Sequence, residues 1–187
     1  MSTTYISVTD TAKMVRAALK EAFPDVKFRV RTSKYAGGAS MGVSWRDGPN
    51  ERMVESVVDR FKGAYFDGST DYKGSRYAMV DGKIVSFGAD YIHCSRVLSR
   101  ALVEEYIARY AANCAPGAVY VVGRDDDGYG VSGTDMDAGR AVRYALCRHS
   151  DRLRIEHSKT AARVIFCGND GYSEIGGLAA VDDKGAA

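Results

Sequence analysis

In the stretch 26-VKFRVRTSKYAGGASMGVSW-45, Val26, Phe28 and Val30 alternate with Lys27, Arg29 and Arg31, and Ala39, Met41, Val43 and Trp45 recur at every second position. A period of two is that of a half-buried strand, because successive side chains leave a strand on opposite faces. The connection carries Gly37-Gly38, which accepts positive φ, so two antiparallel strands joined as a hairpin are expected. One face enters the core. The other presents a row of three basic side chains, with Lys34 and Arg46 near the hairpin ends and Tyr35 beside them.

Working outward, the same logic gives an α+β fold. Ser7 followed by Asp10 makes a capping arrangement, and Val8, Met14, Val15, Ala18, Leu19, Ala22 and Phe23 share one helical face, so a helix is predicted over 8–22, stopped by Pro24. After the hairpin, Asn50 caps a second helix through Phe61, which Gly63 is expected to close, giving α-β-β-α for residues 1–63. The segment AYFDGSTDYKGSR reads as a loose wrap over the sheet. RYAMV and KIVSF flank Asp81-Gly82, a strong hairpin signal, and GADYIHC continues as strand or irregular chain. Ser95 is expected to cap a long helix over 96–112.

From Gly117 the order repeats: AVYVV, the turn RDDDG, YGVSG, then a helix over 135–148. Two strand-strand-helix subunits in one compact chain would follow, although no sequence identity marks a repeat. The expected layout is an α+β domain over 1–150, with β-hairpins and helices over 64–150, additional strands within 151–175 (LRIEH and ARVIFCG), and a disordered tail over 176–187.

Composition narrows the function. Hydrophobic residues make up 45% and charged residues 27%, enough apolar material for a core without disulfides. The net charge of +2 excludes an acidic nucleic-acid mimic and a histone-like polycation. Its distribution is uneven, for residues 1–63 hold 11 basic against 7 acidic side chains. The N-terminal stretch has no charged-then-apolar leader and no apolar run nears the roughly 20 residues of a membrane span, so a cytoplasmic location is expected. Cys94, Cys114, Cys147 and Cys167 form no CxxC and read as reduced, mostly buried thiols.

No catalytic constellation emerges. His93 and Cys94 precede a helix start, with Asp90 near, but adjacent strand residues face opposite ways, so the imidazole would not serve the thiol. Asp125, Asp126 and Asp127 lack the alternating ligands and distal Glu of a calcium loop. His149 and His157 have no Cys at metal spacing, Gly37-Gly38 is followed by no GKS or GKT, and no nucleophile elbow is present. No metal, no cofactor and no enzymatic activity are therefore expected. Trp45 continues the apolar period and belongs in the core rather than on a base. The candidate binding surface is Lys27, Arg29, Arg31, Lys34, Tyr35 and Arg46. It is able to track phosphates with Tyr35 stacking on a base, or to dock on an acidic protein patch, while a solvated strand face whose charges discourage edge pairing is the plain structural alternative.

The residues TYISVTDTAKMVRAALKEAFPDVKFRVRTSKYAGGASMGVSWRDGP (4–49) and FGADYIHCSRVLSRALVE (87–104) resemble the large polyvalent protein associated domains, the twenty-ninth of that series. The resemblance is clearest over 4–73 and 83–146. It implies an α+β domain in proteins of phages, plasmids and conjugative elements that help incoming DNA establish itself against host defences, and it brings no catalytic residues. The expectation it gives is a mobile-element accessory protein that acts by binding and inhibits a host defence complex, a protein or ribonucleoprotein of CRISPR or restriction type. The alternatives are a nucleic-acid-binding module that escorts incoming DNA or binds RNA, and an enzyme that modifies a defence component.

Overall fold

The computed structural model describes residues 3–111, 119–125, 128–133, 136–150 and 158–170. The first helix, α1 (Val8–Ala22), runs over the residues its sequence predicts. Ser7 Oγ accepts from the Asp10 backbone N–H at 3.1 Å and donates to Asp10 Oδ2 at 2.7 Å, which satisfies two groups at the helix start. Val15, Ala18, Leu19 and Ala22 of this helix are buried. Before it lies a short strand, β1 (Thr4–Ile6), so the opening order is β-α-β-β-α. That strand has no alternation of its own; its pairing partner lies some eighty residues away.

The hairpin is β2 (Arg29–Tyr35) and β3 (Gly38–Arg46), antiparallel from Arg29↔Ser44 to Tyr35↔Gly38. Gly37 alone of the glycine pair takes positive φ, at 85°, while Gly38 is already strand. Strand pairing begins at Arg29 rather than at position 26, because Phe28 is drawn into an aromatic contact with Phe23 and Trp45, at 5.8 and 5.6 Å between ring centroids. Trp45 is core, as its period requires, and its indole N–H donates to the Pro49 carbonyl at 2.8 Å.

Asn50 caps α2 (Glu51–Val58) through the Met53 N–H, and a 3-10 turn over Asp59–Phe61 ends it. Gly63 is not a left-handed cap. A Cβ there would run into the Phe87 carbonyl, so the glycine is needed for close approach of two chains. The expected loose wrap after it is ordered strand: β4 (Ala64–Asp67) pairs with the first half of β5 (Tyr72–Val80). Buried Asp67 holds the turn between them, accepting from Ser69 N and Oγ and from Thr70 Oγ1 at 2.7–2.9 Å. β6 (Lys83–Phe87) follows through Asp81 and Gly82, both at positive φ, the geometry of a tight hairpin turn.

The expected helix over 96–112 starts later. Residues Tyr91–Val97 are strand β7, parallel to β3 in register Ser40↔Tyr91 through Arg46↔Val97. Ser99, not Ser95, caps α3 (Arg100–Tyr106), which passes into a wider π turn over Ile107–Ala111. Pairing with β3 outweighs the local helix signal, and Arg96 shows why. Its guanidinium is buried and donates to the carbonyls of Asp47, Gly48, Leu146 and His149 at 2.8–3.1 Å.

The remainder is β8 (Tyr120–Asp125), β9 (Gly128–Gly133), α4 (Met136–Arg148), α5 (Lys159–Ala162) and β10 (Val164–Asn169). β10 is one of the additional strands expected within 151–175; the LRIEH strand, Asp126, Asp127, His157 and the expected disordered tail lie outside the described residues.

The sheets are β1-β6-β5-β10 with β4 also on β5, then β2-β3-β7, then β8-β9. Antiparallel ladders dominate, joined by two parallel pairings, β1 with β6 and β3 with β7. One core is shared by α1, α2 and the inner faces of the two larger sheets, and a second joins Val103 and Tyr106 to Val142 and Leu146. Among the described residues no helix is long and apolar enough to cross a membrane.

Candidate functional site

Strand β3 has two unlike sides. Ala39, Met41, Val43 and Trp45 point into the core, whereas the intervening positions are Gly38, Ser40, Gly42, Ser44 and finally Arg46. Register places Arg31 across from Gly42 on one side and His93 across from Gly42 on the other. Arg29, Ser44 and Ser95 make the next such row, and Ser33, Ser40 and Tyr91 the one before. Neighbouring strands lie about 4.8 Å apart, so Arg31 and His93 flank a trough roughly 10 Å across at the backbone. Its floor is open: a Cβ added to Gly42 would meet nothing within 4 Å.

The walls carry chemistry. Arg29, Arg31, Arg46 and His93 are exposed, and Tyr91 stacks on His93 with ring centroids 6.3 Å apart and planes 30° apart. Among the described residues none of Lys27, Arg29, Arg31, Lys34 or Arg46 forms an ion pair. A solvated guanidinium facing small residues is a donor fork without an acceptor.

At the hairpin end, the Tyr35 hydroxyl donates to Asp90 Oδ2 at 2.8 Å, and Lys73 Nζ lies 2.6 Å from the same oxygen and 5.9 Å from the Tyr35 ring centroid. Loss of water around the phenol, then the bond to Asp90, push its pKa up to about 12. The hydroxyl is thus anchored and neutral while the ring remains 44% exposed.

Of the six residues expected to form the surface, Arg29, Arg31, Tyr35 and Arg46 share the outward side of the sheet. Lys27 is exposed but lies before β2. Lys34 is exposed on the reverse side, in register with buried Ala39, because the tip of β2 overhangs the core. The sequence does not single out Tyr91 or the row of small residues beside the arginines, and it offers His93 only as a partner for Cys94. The signal was present in GASMGVS, whose outward positions are all Gly or Ser.

His93 and Cys94 do lie on opposite faces. Cys94 packs against the core, and burial, reinforced by the charges of Glu55 and Asp59, pushes its thiol up to about 12. Cys147 and Cys167 are exposed instead of buried as expected, because they stand at solvent-facing positions of α4 and β10, and Cys114 lies outside the described residues. Asp90 is engaged with Tyr35 and Lys73 rather than with His93. His149 packs against Tyr106 with ring centroids 4.7 Å apart and planes tilted by 57°, and no cluster of three His, Cys, Asp or Glu able to hold a metal occurs among the described residues.

Comparison with known proteins adds one match. The family model described as large polyvalent protein associated domain 29 covers residues 6–99, just over half of the chain and the whole of the β2-β3-β7 sheet. No curated protein and no solved structure matches.

Proposed function

Because this chain belongs to the large polyvalent protein associated domain 29 family, we propose that it is a mobile-element accessory protein that acts by binding, and that the outward side of β2-β3-β7 grips single-stranded nucleic acid. The observation that carries this reading is the cross-strand row Arg31, Gly42, His93: a cation, a gap and a ring on one open sheet. Arginines track the backbone without regard to sequence, and bases stack on exposed rings, each worth about 1–3 kcal/mol. A trough this narrow suits one strand laid flat across the sheet better than a duplex. Escort of incoming DNA is the setting the family implies.

The test is fluorescence anisotropy with a labelled single-stranded oligonucleotide and its duplex at two salt concentrations. If Arg29, Arg31 and Arg46 each neutralise one phosphate, log K falls against log salt with a slope near −2, so affinity drops roughly twentyfold between 50 and 200 mM salt. Salt-insensitive binding, or binding untouched by removing Arg29 and Arg31 together, sinks the reading. A parallel pull-down with nuclease addresses inhibition of a host defence complex, which rests on the family setting alone. A protein complex that survives nuclease, from a chain that binds no oligonucleotide, would replace the escort reading with that one.

A further inference from the structure

A second group of cations lies away from the trough, where the end of α2 meets β5 and β10. A cavity of about 140 Å³ is lined there by Asp59, Arg60, Lys62, Arg76, Tyr77 and Phe166. Asp59 is balanced within the lining: Lys62 Nζ stands 2.7 Å from its buried Oδ1, an ion pair whose angles miss hydrogen-bond geometry. Arg60 spends one nitrogen on the carbonyls of Ala161 and Val164, at 3.4 and 3.3 Å. Arg76 is half-buried with its guanidinium 5.0 Å over the Phe166 ring, and among the described residues no acceptor takes a hydrogen bond from that guanidinium, although the backbone N–H donates to the Gly63 carbonyl. Burial disfavours its charge, against a smaller favourable effect of Asp59. A guanidinium stays protonated even so, which leaves a planar donor fork facing the cavity.

We propose that this cavity binds a phosphoryl group, with Arg76 as the principal donor and Arg60 and Lys62 completing the positive lining. The three cations outnumber the single carboxylate, and an oxyanion supplies the bidentate acceptor that Arg76 lacks. Size sets the limit. The cavity holds roughly four to five water volumes of about 30 Å³ each, which admits a tetrahedral phosphate with a water or two and leaves any attached nucleoside outside, against Phe166 and Tyr77.

Isothermal titration of the full chain with inorganic phosphate, and separately with a nucleoside 5′-monophosphate, tests this. The expected result is saturable binding of both that Arg76→Met weakens about tenfold or more, since Met keeps the apolar contact with Phe166 and removes the donors. Equal affinities assign recognition to the phosphoryl group alone; a tighter nucleotide adds a contact from the nucleoside. Replacing Arg29 and Arg31 should leave the titration unchanged, which separates this site from the sheet surface. Should Arg76→Met fail to fold, Lys62→Met carries the same expectation with a smaller loss. No saturable binding to either probe, or equal binding by the wild type and a folded variant, overturns the proposal.

Discussion

The two sides of β3 are unlike, although one segment builds both. Inward, Met41 is 0% and Val43 1% exposed; outward, at Gly42 between them, there is neither a side chain nor a neighbour that one would touch. Burial of large apolar groups on one side explains why the strand exists, and it asks nothing of the other side. That freedom leaves room for a trough. On the proposed reading, stability and recognition are separable here to within one residue, and substitutions can test the separation directly.

The largest expected effect lies in the core behind the trough. Arg96→Met should cost about 3–5 kcal/mol in urea unfolding, because the carbonyls of Asp47, Gly48, Leu146 and His149 lose their shared donor inside the protein. Met41→Ala, measured the same way, should cost about 3 kcal/mol through the cavity it leaves. On the outward side the arginines come next. Arg29→Ala with Arg31→Ala should change stability by less than about 0.5 kcal/mol yet flatten the salt dependence of oligonucleotide binding by about 1.4 in slope. If unfolding free energy drops with binding, the two sides are not independent.

Gly42→Val sharpens the comparison further. It should raise stability by up to about 1 kcal/mol, because a β-branched residue suits a strand and meets no clash, and should weaken binding by filling the trough. A variant that binds as well as the wild type would place the contact elsewhere. The smallest effect concerns Cys94. A thiol raised to about 12 is almost wholly neutral at pH 8, and the thiolate is the reactive form, so at that pH iodoacetamide should modify exposed Cys147 and Cys167 well before Cys94. Peptide mass spectrometry reads the order.

Much of this arrangement is legible in the sequence where the signal is local. The caps at Ser7 and Asn50, the apolar face of α1, the Asp81-Gly82 turn and the period of β3 all depend on residues within a few positions of one another. What escaped is long-range. β1 is defined by its pairing with β6, and the end of β7 at Arg96 and Val97 is strand rather than the start of a helix because β3 lies beside it and Arg96 reaches four carbonyls. The same holds at the sites. Arg29 and Arg31 stood out by their own spacing, but His93 joins them only through a parallel register, and Arg76 meets Phe166 across a strand pair ninety residues apart in the chain. The outward glycines and serines were overlooked for a different reason: a pattern search weighs what side chains contribute, and theirs is to be small.

The partners of Arg96 also set a timetable for the chain as it is made. The guanidinium belongs to β7, but the His149 carbonyl that completes it is synthesised 53 residues later. At about 5–20 residues per second, roughly 3–10 s pass between the two. In that interval the β2-β3-β7 sheet can assemble with Arg96 still hydrated, and the amide of Asn50, which later donates to the Arg148 carbonyl, waits as well. The family-matched segment therefore emerges from the ribosome before two of the carbonyls that lock it, and a chain stalled before residue 146 would carry a formed trough on a sheet whose central charge could reach only the Asp47 and Gly48 carbonyls.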